Sequence, residues 1–195
     1  MISRAQLIRK KLFKKKDYQI MPWKNGLGTT AQIDLFRDSS EVSENFVWRL
    51  SAATIQSDGP FSFYPGYHRI LGIWQGSGLW LNDIRLERFQ VHSFSGDLKV
   101  ESRLIKDQVL DLGLIFDPLK IKAHMSSELI SEPRAQLSFI GEIQYIFAAK
   151  GGFTVDDIFV TEGDTLMLKG ACAVNVIPES GAEVRIFILD LEKIG

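Results

Sequence analysis

Residues 68–82 read HRILGIWQGSGLWLN. A run rich in Ile, Leu and Trp meets Gly76-Ser-Gly78, and a second apolar run follows. Apolar and aromatic residues broken by a glycine turn are the pattern of two neighbouring strands. The same order recurs at residues 143–160, IQYIFAAKGGFTVDDIFV, where Gly151-Gly152 parts the runs. The first unit closes on Gly96-Asp97 and the second on Gly163-Asp164, before TLML. Further strand patterns lie at 46–55, 98–105, 165–170 and 182–192. Helical periodicity is confined to residues 2–13, through Ile2, Ala5, Ile8 and Leu12, and to residues 125–135. The spacing predicts an all-β chain with little helix, built from two similar antiparallel barrels or sandwiches. The first covers residues 1–115, N-terminal strand included, and the second 116–195. The junction near 112–135 contains Pro118 and Pro133 but no Gly-Ser linker, so the halves are expected to pack as one rigid unit.

Composition narrows the function classes. The chain has 195 residues, 45% hydrophobic, with a net charge of −1. It exerts no global pull on nucleic acid or on an anionic membrane. The basic run RKKLFKKK, residues 9–16, has no basic partner segment and reads as a solvated face. No apolar run approaches the roughly 18 residues of a membrane helix, and MISRAQLIRKKLFKKK lacks the apolar core of a secretory signal. The cytoplasm is the expected location. Cys172, in ACAVNVI, excludes an intrachain disulfide and reads as a buried, inert thiol. His68, His92 and His124 are too far apart in sequence to give a local pair of metal ligands. No G-x-S-x-G elbow occurs, and Asp156-Asp157 reads as turn residues.

Three stretches are candidates for binding. MPWKNGLGTTAQIDLF, residues 21–36, contains a G-x-G-x-x-A match, but the residues after it alternate like a strand, with Ile33 and Leu35 on one side. A dinucleotide fingerprint needs a helix there. The stretch is a strand, a turn at Asn25-Gly26 and a second strand on which Thr29 and Thr30 face opposite ways. It is either a plain hairpin or a wall on which Lys24, Asn25 and one threonine converge. In FVWRLSAA, alternation puts Trp48, Leu50 and Ala52 on one face and Arg49, Ser51 and Ala53 on the other. Arg49 then reaches either a barrel lumen, where its fork suits a carboxylate or phosphate, or a solvated face. In DGPFSFYPGYHRIL, Asp58-Gly59-Pro60 is a turn, and Phe61, Phe63, Tyr64 and Tyr67 form core or a hydrophobic rim.

Together PWKNGLGTTAQI, FVWRLSAA, DGPFSFYPGYHRIL and FSGD at 94–97 resemble the HutD/Ves family, whose pattern runs PWKNGGGTT, WR-S-A, DGPFS, PG-R and F-GD. The resemblance covers roughly residues 20–115 and implies a bicupin: two cupin-like barrels in one chain. Against a metal cupin's first motif, ending at Gly76, the glutamate position falls on Arg69 and no histidine ligand survives. The resemblance therefore implies a first barrel without metal or other cofactor, with a guanidinium where the metal would sit. It implies a binding protein for a small carboxylate-bearing metabolite, linked with sensing or modulating histidine catabolism. Its ligand-binding residues would be Lys24, Asn25, Thr30, Arg49, Ser51, Phe61 and Arg69. Two other readings stay open: a metal-independent isomerase or lyase using Lys24, His68 or Tyr64, and a ligand-free module forming a homodimer through exposed aromatics or a barrel edge. Two positions depart from the family pattern: Leu27 replaces the middle glycine, and Gly113 stands where relatives carry Asn.

Overall fold

The computed structural model describes residues 9–23, 26–38, 45–131, 133–179 and 182–194. It contains four antiparallel sheets. The first half has a six-stranded sheet in the order Gln19–Pro22, Gly28–Phe36, Trp48–Ile55, Val109–Phe116, His68–Gln75, Val91–Ser95. A four-stranded sheet faces it, in the order Gly59–Pro60, Glu101–Leu104, Leu79–Leu81, Ile84–Leu86. Ile55, Leu71, Ile73 and Val109 of the large sheet meet Leu79, Leu81 and Leu86 of the small one inside this first barrel. The second half repeats the plan. Its five-stranded sheet runs Arg9–Phe13, Thr165–Lys169, Ile143–Lys150, Val184–Lys193, Ile121–Ile130. Its four-stranded sheet runs Ala135–Phe139, Cys172–Pro178, Phe153–Val155, Ile158–Val160. The expected two-barrel, all-β architecture is present.

The two large sheets pack face to face. Trp48, Leu50, Leu112 and Leu114 from the first interdigitate with Tyr145, Phe147, Phe187 and Leu189 from the second. The Trp48 indole N–H donates to the Tyr145 hydroxyl over 3.0 Å. That hydroxyl donates in turn to Asp34 over 2.6 Å. Burial and the adjacent Asp34 carboxylate push the Tyr145 phenol above its ordinary range, which keeps its proton in place for this bond.

Four expectations are corrected. Residues 9–13 are not helical: Arg9–Phe13 pairs antiparallel with Thr165–Lys169, and residues 2–8 lie outside the described part. The free sheet edge supplies hydrogen bonds that a short, weakly amphipathic helix does not. The same pairing puts this N-terminal strand in the second barrel, not the first. The 125–135 stretch is strand as well. Ile121–Ile130 is zipped along its length to Val184–Lys193, and the helical content among the described residues is one 3-10 turn, Lys15–Asp17. Finally, Ile33 and Leu35 do not share a side. A bulge between Gln32 and Asp34 shifts the register, so Gln32 opposes Ser51 whereas Asp34 opposes Leu50. One extra residue reverses which face each later side chain takes. Asp34 and Phe36 thereby turn toward the second barrel, where Phe36 stacks on Trp48 with ring centroids 4.3 Å apart.

Candidate functional site

The large sheet of the first barrel presents a grid of inward side chains. Across three neighbouring strands the rows are Arg49–Ile115–Arg69, Ser51–Gly113–Leu71 and Ala53–Asp111–Ile73. Small residues occupy the centre of this grid, so the barrel is hollow there. The cavity measures about 510 Å³ and is lined by Thr30, Arg49, Ser51, Phe61, Arg69 and Asp111, among others. Five of the expected ligand residues, Thr30, Arg49, Ser51, Phe61 and Arg69, thus meet around one space. Lys24 and Asn25 lie outside the described residues.

The arginines are fixed by what surrounds them. The Arg69 guanidinium lies 5.0 Å from the Phe61 ring, 5.1 Å from Phe94 and 5.6 Å from Tyr64. It donates from Nη1 to the Ser62 carbonyl over 2.9 Å. Burial lowers its pKa, an effect opposed by Asp111 and Tyr64 and reinforced by Arg49. Arg49 donates from Nη2 to the Tyr64 hydroxyl over 2.8 Å. Its guanidinium lies 5.3 Å from the Tyr64 ring and 5.6 Å from Phe46. The Nε of Arg49 is buried without a hydrogen-bond partner among the described residues. No carboxylate there forms an ion pair with either guanidinium. The cavity therefore holds two half-buried cations and an orphan donor, and an entering anion would satisfy them.

Asp111 was not among the expected site residues. The residue is 3% exposed and its pKa is raised to about 7. Burial is the main cause; Arg69 and the Ala53 backbone amide oppose it. The signal was a lone acid among the apolar residues of VLDLGLIF. Trp23 was missed too: its indole N–H donates to the Thr30 hydroxyl over 2.8 Å and seats Thr30 at the cavity. Tyr64, expected as core or rim and as an acid/base candidate in the enzyme reading, lines the cavity; His68 does not. His68 opposes Phe116 on the face turned to the second barrel, and its Nε2 lies 2.9 Å from the Ser93 hydroxyl. Among the described residues no group of three or more His, Cys, Asp or Glu side chains is placed to hold a metal ion.

The two family departures have physical consequences. The Leu27 side chain reaches over the Asp58-Gly59-Pro60 turn: a methyl added at Gly59 would lie 2.6 Å from Leu27 Cδ1. The turn at Gly26 adopts a φ of +72°, which glycine takes without strain. At Gly113 an added Cβ would find Leu71 Cδ1 at 3.8 Å and Asp111 Oδ1 at 4.0 Å, ordinary contacts. The missing side chain leaves open the centre of the cavity floor.

The chain is similar to known proteins. The family model described as HutD matches residues 15–184. A Pseudomonas putida protein, described as an uncharacterized 21.2 kDa protein in the hutC 3' region, is 39% identical over 129 residues. That alignment spans 64% of this chain and 64% of the relative, just under two thirds of its length. Protein Ves of Citrobacter koseri is 28% identical over 167 residues, or 80% of each chain. The solved structure of HutD from Pseudomonas fluorescens SBW25 (formate condition) superposes with a TM-score of 0.81 at 28% identity. It covers 96% of this chain and 100% of that one.

Proposed function

The chain belongs to the HutD family, and from that premise we propose that it is a binding protein for a small carboxylate-bearing metabolite held in the first barrel. The reading rests on one observation above all: among the described residues Arg49 and Arg69 flank a cavity without forming an ion pair, the one acid beside them, Asp111, has its pKa raised to about 7, and the Arg49 Nε has no acceptor. The two strands that carry them are separated by one strand, so their backbones stand about 10 Å apart. That separation lets one carboxylate lie between the forks. Ser51 and Thr30 supply hydroxyls beside it, and Phe61 closes one side. The relative in the hutC 3' region supports placing the ligand among the acids of histidine breakdown, where binding would report or modulate their level.

The test is a thermal-shift panel of formate, urocanate, formiminoglutamate, formylglutamate and glutamate, each beside its neutral amide. A ligand at 100 times its Kd adds about 2.7 kcal/mol, or about 5–10 °C of Tm for a chain of this size. At least one acid is expected to give such a shift while its amide does not. Arg49→Gln should weaken that binding by about tenfold to a hundredfold, as for a hydrogen bond to a charged group. No shift with any acid at millimolar concentration would overturn the reading.

A further inference from the structure

A second cavity, larger than the first at about 820 Å³, lies on the opposite face of the same sheet. Strand alternation sets the two apart, with Ala53 alone bordering both: Thr29 lines this cleft and Thr30 the barrel, and Leu110 lines it where Asp111 faces the barrel. Ala31, Ala52, Leu110 and Trp74 form its floor, and the turn at residues 161–164 from the second barrel is one wall. Two large hydrophobic residues are exposed at its margin, Ile20 at 68% and Phe159 at 48%.

The other wall is the end of the basic run. Lys14, Lys15 and Lys16 all line the cleft, so the run expected to be a plain solvated face borders a cavity. The wall is anchored through Tyr18, whose hydroxyl donates to the Gly163 carbonyl over 2.8 Å, and through Asp164, which accepts the Lys15 backbone N–H over 2.8 Å. The carboxylates on the rim are already engaged. Asp164 also accepts the Thr161 hydroxyl at 2.6 Å. Glu162 accepts from Gln75 at 2.9 Å and from the Gly151 amide at 3.1 Å. No carboxylate among the described residues forms an ion pair with the three lysines. The Lys15 ammonium lies 5.2 Å from the Trp74 ring, over a floor residue that is 1% exposed.

We infer that this inter-barrel cleft is a second binding site, for an amphipathic organic anion with an aryl or medium-chain acyl body and one acid group. The apolar floor with Ile20 and Phe159 takes the body, and Lys14, Lys15 and Lys16 take the acid. Its volume lies in the range of small-molecule sites, and its polarity is unlike that of the first cavity: the cations stand exposed at an open rim, not half-buried inside a barrel. The proposal is independent of the carboxylate site inside the barrel.

The probes are octanoate and its neutral counterpart octanamide, added to the full chain and followed by calorimetry and by backbone amide chemical shifts. Octanoate is expected to bind at sub-millimolar Kd and to shift residues 29, 31, 52 and 163. The triple variant Lys14→Gln, Lys15→Gln, Lys16→Gln changes exposed positions only. It should weaken octanoate about tenfold, the sum of three exposed ion pairs, leave octanamide unchanged, and leave the small-acid shifts of the first cavity intact. Arg49→Gln should leave octanoate binding unchanged. Shifts centred on residues 49, 69 and 111, loss of octanoate binding in Arg49→Gln, equal weakening of octanoate and octanamide in the triple variant, or no binding at 5 mM octanoate would each overturn the second site without touching the first.

Discussion

Replacing Asp111 by Asn should change how stability depends on pH. In the folded chain this carboxyl titrates near pH 7, because it is buried in the barrel wall. In the unfolded chain an aspartate titrates near 3.9. Between about pH 4 and pH 7 the folded state therefore holds a proton that the unfolded state has released. With more protons bound in the folded state, stability falls as pH rises through that window. The full contribution is present below about pH 4 and is lost by the time pH has passed the folded value. Three pH units correspond to roughly 4 kcal/mol. The Asn variant keeps the shape and removes the titration. Urea denaturation of both proteins at pH 4, 5, 6, 7 and 8 gives the difference in unfolding free energy at each pH. Wild type minus variant should decline by roughly 4 kcal/mol across the series and be flat above pH 8. A difference constant to within about 1 kcal/mol would refute the assignment. The same group reaches the ligand. An anion between Arg49 and Arg69 disfavours ionisation of Asp111, so acid binding should weaken above pH 7 by up to about tenfold per unit in wild type and not in the variant.

Other perturbations read other parts of the molecule. Tyr145→Phe leaves the Asp34 carboxylate and the Trp48 indole N–H without their shared partner, and should cost about 1–3 kcal/mol in urea denaturation. Gly113→Asn adds a side chain where the floor is open; it should change stability by less than about 1 kcal/mol while reordering which acid of the panel gives the largest thermal shift. Gly28→Ala drives a methyl into the Thr54 carbonyl oxygen, with the Trp23 ring 3.1 Å away. It should lower the denaturation midpoint by more than about 2 kcal/mol equivalent and release the Trp23–Thr30 contact, read as a change in tryptophan fluorescence.

Much of this architecture was legible because strands write their two faces into alternate residues. Trp48, Leu50 and Ala52 against Arg49, Ser51 and Ala53 is such a record, and the sheet obeys it. The glycine turns marked the duplicated units for the same local reason. What alternation cannot carry is pairing between distant segments. Arg9–Phe13 joins an edge more than 150 residues away, and no property of RKKLF names that edge. Nor does alternation foresee a register shift: the bulge near Ile33 leaves no signature in AQIDLF, yet it reverses Asp34 and Leu35. Asp111 was visible as an odd acid among leucines, but its pKa comes from three strands closing around it.

That bulge also explains how one sheet serves two purposes. A strand pair of constant register would put Asp34 on the Arg49 face, where a carboxylate would sit beside the guanidiniums and compete with any incoming anion. The shift sends Asp34 across to Tyr145 and leaves the arginine row without an ion pair among the described residues. The second barrel makes this tolerable. Its interior is filled by Ile146, Phe153, Val155, Leu166, Val176 and Ile186, all fully buried, and its outer face grips Trp48 and Leu114. Apolar burial on that scale, at about 25 cal/mol per Å², offsets the cost of half-buried cations and a buried acid in the first barrel. The two barrels thereby serve different ends: the second has a buried apolar interior and braces the first barrel's large sheet, and the first keeps Ser51, Ala53 and Gly113 small so that its arginines face a space.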